Sequence, residues 1–218
     1  MVMKKLTVSK AVMLCACAFV YFCANAHGAL FKRVPPFKGQ IVEGFEDPAD
    51  RTALTNLADG LASFTAPEGT LLTVQDGDFS NFWDQHAFEG QYFLGASAGR
   101  ADPATIDITF DYPVRAFGGS FGHRVHPLFD TTQEVEFVFY DANDKVIGRD
   151  KFGVGPLPGA VNAHWQFSRG VKRITFTAVA PIADALTVRL DPVTYQRFLR
   201  DTMRKNRGGF KKRQAFAG

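Results

Sequence analysis

Beyond residue 26 the chain has no cysteine, because its three, Cys15, Cys17 and Cys23, all fall near the start. A disulfide framework is therefore excluded, and burial, with or without a metal, must hold the fold. Long apolar runs are also missing. The one candidate, Ala11 to Cys23, is shorter than the roughly 20 residues a spanning helix needs. Lys4, Lys5 and Lys10 precede it and Ala24-Asn25-Ala26 follows it, which is the pattern of a secretory signal cleaved so that the mature chain begins at His27. A lipobox is the competing reading, since Leu14-Cys15-Ala16-Cys17 ends in cysteine, but it comes too early in the apolar run. No internal repeat, no EF-hand pattern and no second domain are visible. No long amphipathic helix interrupts the strands before residue 192.

The charge balance of 25 Lys and Arg against 22 Asp and Glu conceals a split. From Arg197 onward there are eight basic residues and one acid, Asp201, a net of seven positive charges. Residues 27–196 hold fourteen basic and twenty-one acidic side chains, a net of seven negative charges. An acidic body thus carries a basic tail.

What fills the body is alternation. Ile106, Ile108 and Phe110 alternate with Thr105, Asp107 and Thr109, and Val135, Phe137 and Phe139 alternate with Glu134, Glu136 and Val138. Each run buries one face of a strand. Val114 to Gly122 lies between them, broken by Gly118, Gly119 and Gly122 where a bulge or a close backbone approach is expected. Further strands are expected over 40–46, 70–74, 91–95, 145–148, 164–167, 173–177 and 186–190, with a helix or irregular crossing over 50–61 and an aromatic loop over 79–88. The pattern, with 22 phenylalanines for a core, predicts an all-β antiparallel sandwich, jelly-roll-like. The expected organisation is a signal peptide over 1–26, an irregular arm over 27–39, the sandwich over 40–191 and a basic amphipathic helix and tail over 192–218. Gly208-Gly209 is expected to stop that helix.

Several short motifs occur in a recognisable order: Gly44-Phe45-Glu46, Ile108-Thr109-Phe110, Pro113 to Gly118, Val138 to Ala142, Val171 to Thr177 and Ala183 to Val188. Over residues 40–191 the chain resembles the exported bacterial β-sandwich domain of PEP-CTERM-type proteins, itself similar to galactose-binding-like jelly rolls. Most of that family has no established activity. The sequence departs from it in having no Pro-Glu-Pro signal and no hydrophobic C-terminal span, which implies a released or periplasmic protein. In jelly rolls of this kind the first and last strands lie side by side. The resemblance thus suggests that Glu46 and Asp184, with backbone carbonyls, hold a structural Ca²⁺. The alternative is a pair of solvated carboxylates.

Other constellations are weaker. Gly95-Ala-Ser97-Ala-Gly99 matches a nucleophile elbow, but Asp102-Pro103 follows where a helix is required. His123 and His126, with Asp130 or His86, have the residue types of a zinc site only if they sit on a loop. Trp83, Tyr92 and Trp165 with His86 offer an aromatic platform for a sugar, and Asp84 and Gln85 offer hydrogen-bonding partners; otherwise these rings cap the core. Arg197, Arg200, Arg204, Lys205, Arg207, Lys211, Lys212 and Arg213 make the tail a candidate polyanion contact, on a membrane, a nucleic acid or an acidic polysaccharide, unless it folds back onto the acidic body. The expected function is non-catalytic recognition of a glycan or other extracellular polymer. A structural or adhesive surface protein is the alternative, and a secreted carbohydrate-active hydrolase the third.

Overall fold

The computed structural model describes residues 30–46, 60–76, 92–98, 102–123, 132–155 and 160–215, with the side chains of 75, 76, 92 and 206–215 left aside. The helix or crossing expected over 50–61 lies almost wholly outside these residues, and the aromatic loop over 79–88 lies outside them altogether. The chain from Phe31 onward forms one compact unit.

Among the described residues ten strands precede one helix: β1 (Phe31–Arg33), β2 (Ile41–Glu43), β3 (Ala62–Thr65), β4 (Leu71–Asp76), β5 (Tyr92–Ser97), β6 (Pro103–His123), β7 (Gln133–Tyr140), β8 (Val146–Val154), β9 (Val161–Val179), β10 (Pro181–Leu190) and α1 (Pro192–Ala215). All the pairings are antiparallel. The arm expected to be irregular contributes β1, whose Phe31, Lys32 and Arg33 pair with Phe167, Gln166 and Trp165. The two runs expected over 105–110 and 114–122 are one strand, β6. The short strand expected over 164–167 extends to the nineteen residues of β9.

The β6–β9 ladder explains how one hydrogen-bonded sheet becomes two layers. From Pro103 to Thr109, β6 pairs with Val179 to Arg173; from Ala116 to Phe121 it pairs with Gln166 to Val161. Between these halves only Val114 and Val171 are paired. Three extra residues on β6 are followed by three on β9, so pairing resumes in the same register after the bend. Pro113 sits in the bend and has no N–H to leave unpaired. Gly170 packs on it so closely that a Cβ there would lie 2.5 Å from the Pro113 Cβ. The first half of β6 and second half of β9 join β3, β7 and β8; the other halves join β1, β10, β5 and β4. β2 extends the second layer on the edge of β10 beyond β5, so the expected first strand does lie beside the last.

Phenylalanine fills the space between the layers. Phe137 stacks on Phe176 within the first layer at 4.7 Å, and meets Phe121 and Trp165 of the second at 4.7 and 4.6 Å. Such ring pairs add to simple area burial. Trp165 is fully buried. Its indole N–H donates to Asp150 Oδ2 at 2.6 Å, and Asp150 is held in turn by Arg33.

The helix also differs from expectation. It runs through Gly208 and Gly209 to Ala215. Glycine in a helix interior costs about 1 kcal/mol but does not forbid the turn, and lysine, arginine and alanine around the pair favour it. Asp191 caps the start, accepting from the Val193 and Thr194 N–H groups and from the Thr194 hydroxyl. Phe198 is buried against Tyr112 at 6.0 Å, and Tyr112 donates to Asp201 at 2.6 Å. The first turns of the helix are therefore docked on β6 by an aromatic contact. Replacing Phe137 with alanine is expected to lower stability by about 3–5 kcal/mol, measured by denaturant unfolding, because five rings lose a common neighbour.

Candidate functional site

The outer face of the second layer follows from strand parity. On β9, Ala163, Trp165 and Phe167 point to the core, so Asn162, His164 and Gln166 point outward. Opposite them on β6 stand Ser120, Gly118 and Ala116, and Thr187 stands opposite Gly118 on the other side. Small residues in the middle of this face leave it hollow. A Cβ on Gly118 would come within 2.1 Å of His164 Cδ2, and one on Gly39 within 2.1 Å of Thr187 Oγ1. The close backbone approach expected of the β6 glycines is this one.

The hollow is a cleft of about 400 Å³. Its floor carries Ser120, Asn162, His164 and Thr187, and one wall is the chain from Pro36 to Gly39. Phe37 sets its ring edge-on to His164 at 5.3 Å. The arm is tied down by four hydrogen bonds: Val34 N–H to the His164 carbonyl at 2.9 Å, Gln40 N–H to the Val188 carbonyl at 2.9 Å, Arg189 to the Lys38 carbonyl at 2.8 Å, and the Leu190 N–H to Gln40 Oε1 at 2.7 Å. Beyond Phe37 a smaller hollow of about 160 Å³ continues along the sheet, lined by Arg115, Gln166 and Arg189.

Two floor atoms carry the chemistry. His164 is 8% exposed and Thr187 6% exposed, and neither His164 Nδ1 nor Thr187 Oγ1 has a hydrogen-bond partner among the described residues. A buried polar atom left unpaired costs about 1–3 kcal/mol, so each marks a place where a ligand hydroxyl gains more than it would on an open surface. Ser120 and Asn162 bond each other at 2.6 Å and stand ready beside them. Polar groups that hold orientation, next to an aromatic wall, are what a small-molecule or sugar cleft needs.

The proposed platform fares otherwise. Trp165 is withdrawn from it, since a ring with no exposed surface and a satisfied N–H packs the core and cannot meet a sugar. Trp83, Asp84, Gln85 and His86 lie outside the described residues, as does the side chain of Tyr92. Asp184 is fully buried and accepts the Ala185 N–H at 2.6 Å, whereas Glu46 is exposed. Glu43, which sequence reasoning passed over, is the buried carboxylate opposite Leu186, and it accepts the Phe45 N–H at 2.7 Å. Among the described residues no three of His, Cys, Asp and Glu converge as a metal would require. His123 is buried in β6 with Nε2 3.2 Å from the Val154 carbonyl; His126, Asp130 and His86 lie outside the described residues. Ser97 ends β5, and β6 is the next element. Arg197, Arg200, Arg204 and Lys205 are exposed along α1; the side chains of Arg207, Lys211, Lys212 and Arg213 lie outside the description.

The cleft residues went unnoticed in the sequence because each is ordinary alone. The available signal was the polar-apolar alternation of Asn162 to Phe167 facing a glycine-rich run.

No protein-family model matches the chain, and no curated protein matches it in sequence. Among solved structures, the chain is similar to the CBM22-1 xylan-binding domain of Xyn10C from Paenibacillus barcinonensis, with 14% identity, 72% of this chain and 97% of that one covered, and a TM-score of 0.39. It is similar to a DUF4465 family protein from Bacteroides caccae at 12% identity, covering 75% and 95%, with a TM-score of 0.43. It is also similar to TmCBM61, solved with β-1,4-galactotriose, at 11% identity, covering 66% and 94%, with a TM-score of 0.38. Likeness at this level assigns neither ligand nor activity. Among the described residues no helix is long and apolar enough to cross a membrane.

Burial lowers the pKa of His164 below its ordinary value of 6.5. The charged form is disfavoured in the folded state, so below that value the unfolded chain takes up a proton that the folded one resists. Stability from this group is thus present above pH 6.5 and lost as the pH falls. Between about pH 7 and about pH 5 the denaturation midpoint should drop, and the drop should shrink in His164→Asn, followed by urea unfolding of both proteins across that range.

Proposed function

We propose that this is an exported, non-catalytic glycan-binding protein whose site is the cleft over β6, β9 and β10. The observation that carries this reading is the pair of unpartnered buried atoms, His164 Nδ1 and Thr187 Oγ1, in a floor hollowed by glycines. Sugar hydroxyls are both donors and acceptors, so one ring can satisfy a threonine hydroxyl and a histidine nitrogen together. Phe37 would meet the C–H face of the same ring. Export is supported by the N-terminal pattern of Lys4, Lys5 and Lys10, an apolar run and Ala24-Asn25-Ala26.

A glycan array followed by calorimetric titration tests the reading, with Thr187→Val as the deciding variant. Valine has the shape of threonine and removes an unpaired hydroxyl. The variant should therefore be as stable as the parent or more so, by up to about 1 kcal/mol, while glycan affinity falls about tenfold. Unchanged affinity in the folded variant would place the site elsewhere.

A second reading has its own observation. Along α1 the residues Arg197, Arg200, Arg204 and Lys205 are exposed together with Met203, whereas Phe198 is docked. The far part of this helix is suited to an anionic partner, with the near turns as its anchor. Calcium at Glu46 and Asp184 also stands as a proposal, with Asp184 as the buried donor on the strand beside β2. A cation that binds the native state alone stabilises it by about 2.7 kcal/mol at a hundred times Kd. Millimolar calcium should then raise the melting temperature and a chelator should lower it; identical melting under both would remove the proposal.

A further inference from the structure

Charges on the two outer faces of the sandwich are arranged differently. On the first layer three cations are matched by acids: Arg149 with Glu136 at 3.1 Å, Lys151 with Glu134 at 2.8 Å, and Arg173 with both Asp107 at 3.1 Å and Asp144 at 3.0 Å. Along the cleft and its extension three cations, Lys38, Arg115 and Arg189, line the surface, and no described lining residue is Asp or Glu. The two guanidiniums are held by neutral acceptors. Arg115 donates to the Ser168 carbonyl at 2.7 Å, and Arg189 donates to the Lys38 carbonyl while lying 4.7 Å from the centre of the Phe37 ring. Each fork has five N–H groups, so these contacts position it and leave donors over.

Two described acids, on β10 and just after it, are engaged elsewhere. Asp184 is fully buried behind Ala185, whose N–H it holds. The Asp191 carboxylate is engaged chiefly by Thr194, and Arg115 makes the smallest contribution to its lowered pKa. In a body with an excess of seven negative charges, a cleft lined by cations, with no carboxylate among its described lining residues, is a local reversal of sign.

We infer that the ligand of this cleft is an anionic glycan, one bearing carboxylate or sulfate groups, with His164 and Thr187 taking ring hydroxyls and Lys38, Arg115 and Arg189 taking the acid groups. The inference rests on the glycan reading above and adds the charge of the substrate. The geometry suits a repeating polymer. The hydroxyl-binding floor and the paired guanidiniums lie on either side of Phe37, in two hollows that share that ring as a wall, so successive sugar units would meet different chemistry. Arginine is fitted to this task because its planar fork matches a carboxylate or sulfate with two parallel bonds.

The test uses the full chain and pairs of polymers that differ only in charge: polygalacturonate against its methyl ester, and dextran sulfate against dextran. Binding to the charged member of a pair should be about tenfold tighter or more, and the advantage should shrink between about 50 and about 500 mM salt. Lys38→Gln and Arg115→Gln should each remove much of that advantage, so that the charged polymer binds little better than its neutral counterpart. Lys38→Gln keeps the backbone carbonyl that Arg189 uses, so the arm stays tied. A triple variant of the tail, Lys211→Gln, Lys212→Gln and Arg213→Gln, should leave the preference in place. If that triple variant abolishes the preference and the cleft variants do not, the helix is the anion contact and the inference fails. If charged and neutral members bind alike, or a neutral glycan from the array binds and neither acid polymer does, the inference fails while the glycan reading survives. If nothing on the array or in either pair binds, both fail.

Discussion

The architecture depends on a single contact between a proline and a glycine. Pro113 and Gly170 lie where the β6–β9 ladder stops pairing and turns, and no side chain can be added at 170 without striking Pro113. Because the residues omitted from pairing on one strand are matched on the other, the ladder crosses the bend without losing register. This keeps Ile106, Ile108 and Phe110 on the inside before the turn and Phe117 and Phe121 on the inside after it. Both layers, the phenylalanine core between them and the outward row of Asn162, His164 and Gln166 follow from that one fold in the ladder. A one-residue slip would send the core rings to solvent and the cleft residues inward.

Burial and the proposed binding draw on different residues of the same strand. Along β9 the inward Trp165 joins the two layers, while His164 and Gln166 on either side of it form the floor of the outer hollows. The core is largely satisfied, down to the indole N–H on Asp150, with the buried His123 Nδ1 the exception among the described residues. The floor is not, and the two orphaned atoms there are tolerated at a cost that packing elsewhere offsets. This is the usual relation between a rigid scaffold and a site with unmet bonding capacity.

Much of the fold was legible because it depends on alternation. The runs 105–110 and 134–139 identify their own inward faces, and a sandwich is the natural way to bury several such faces without helices. Continuity was not legible: Pro113 and the three glycines of β6 look like strand ends, and only tertiary pairing shows that the strand passes through them. Trp165 illustrates a second limit. A tryptophan among polar neighbours reads equally as a platform or a core residue until the opposing layer is known. The cleft was hidden for a related reason, since it is assembled from β6, β9, β10 and the arm, and Phe37, Asn162 and Thr187 each look unremarkable in line. Gly208-Gly209 shows that a strong stop signal is only an energy, and a small one beside a run of good helix formers.

The arm that walls the cleft is joined to the sandwich by a short strand and a few isolated hydrogen bonds, whereas the floor belongs to the most extensively paired strands of the molecule. Segments of that kind open locally, at free energies well below that of global unfolding. The cleft therefore has one wall that can breathe on its own while the floor keeps its shape. A bound chain lying across Phe37 and Lys38 would slow amide exchange in residues 34–40 and leave it unchanged in the core strands. Residence time on this protein would then be governed by how often the arm lifts.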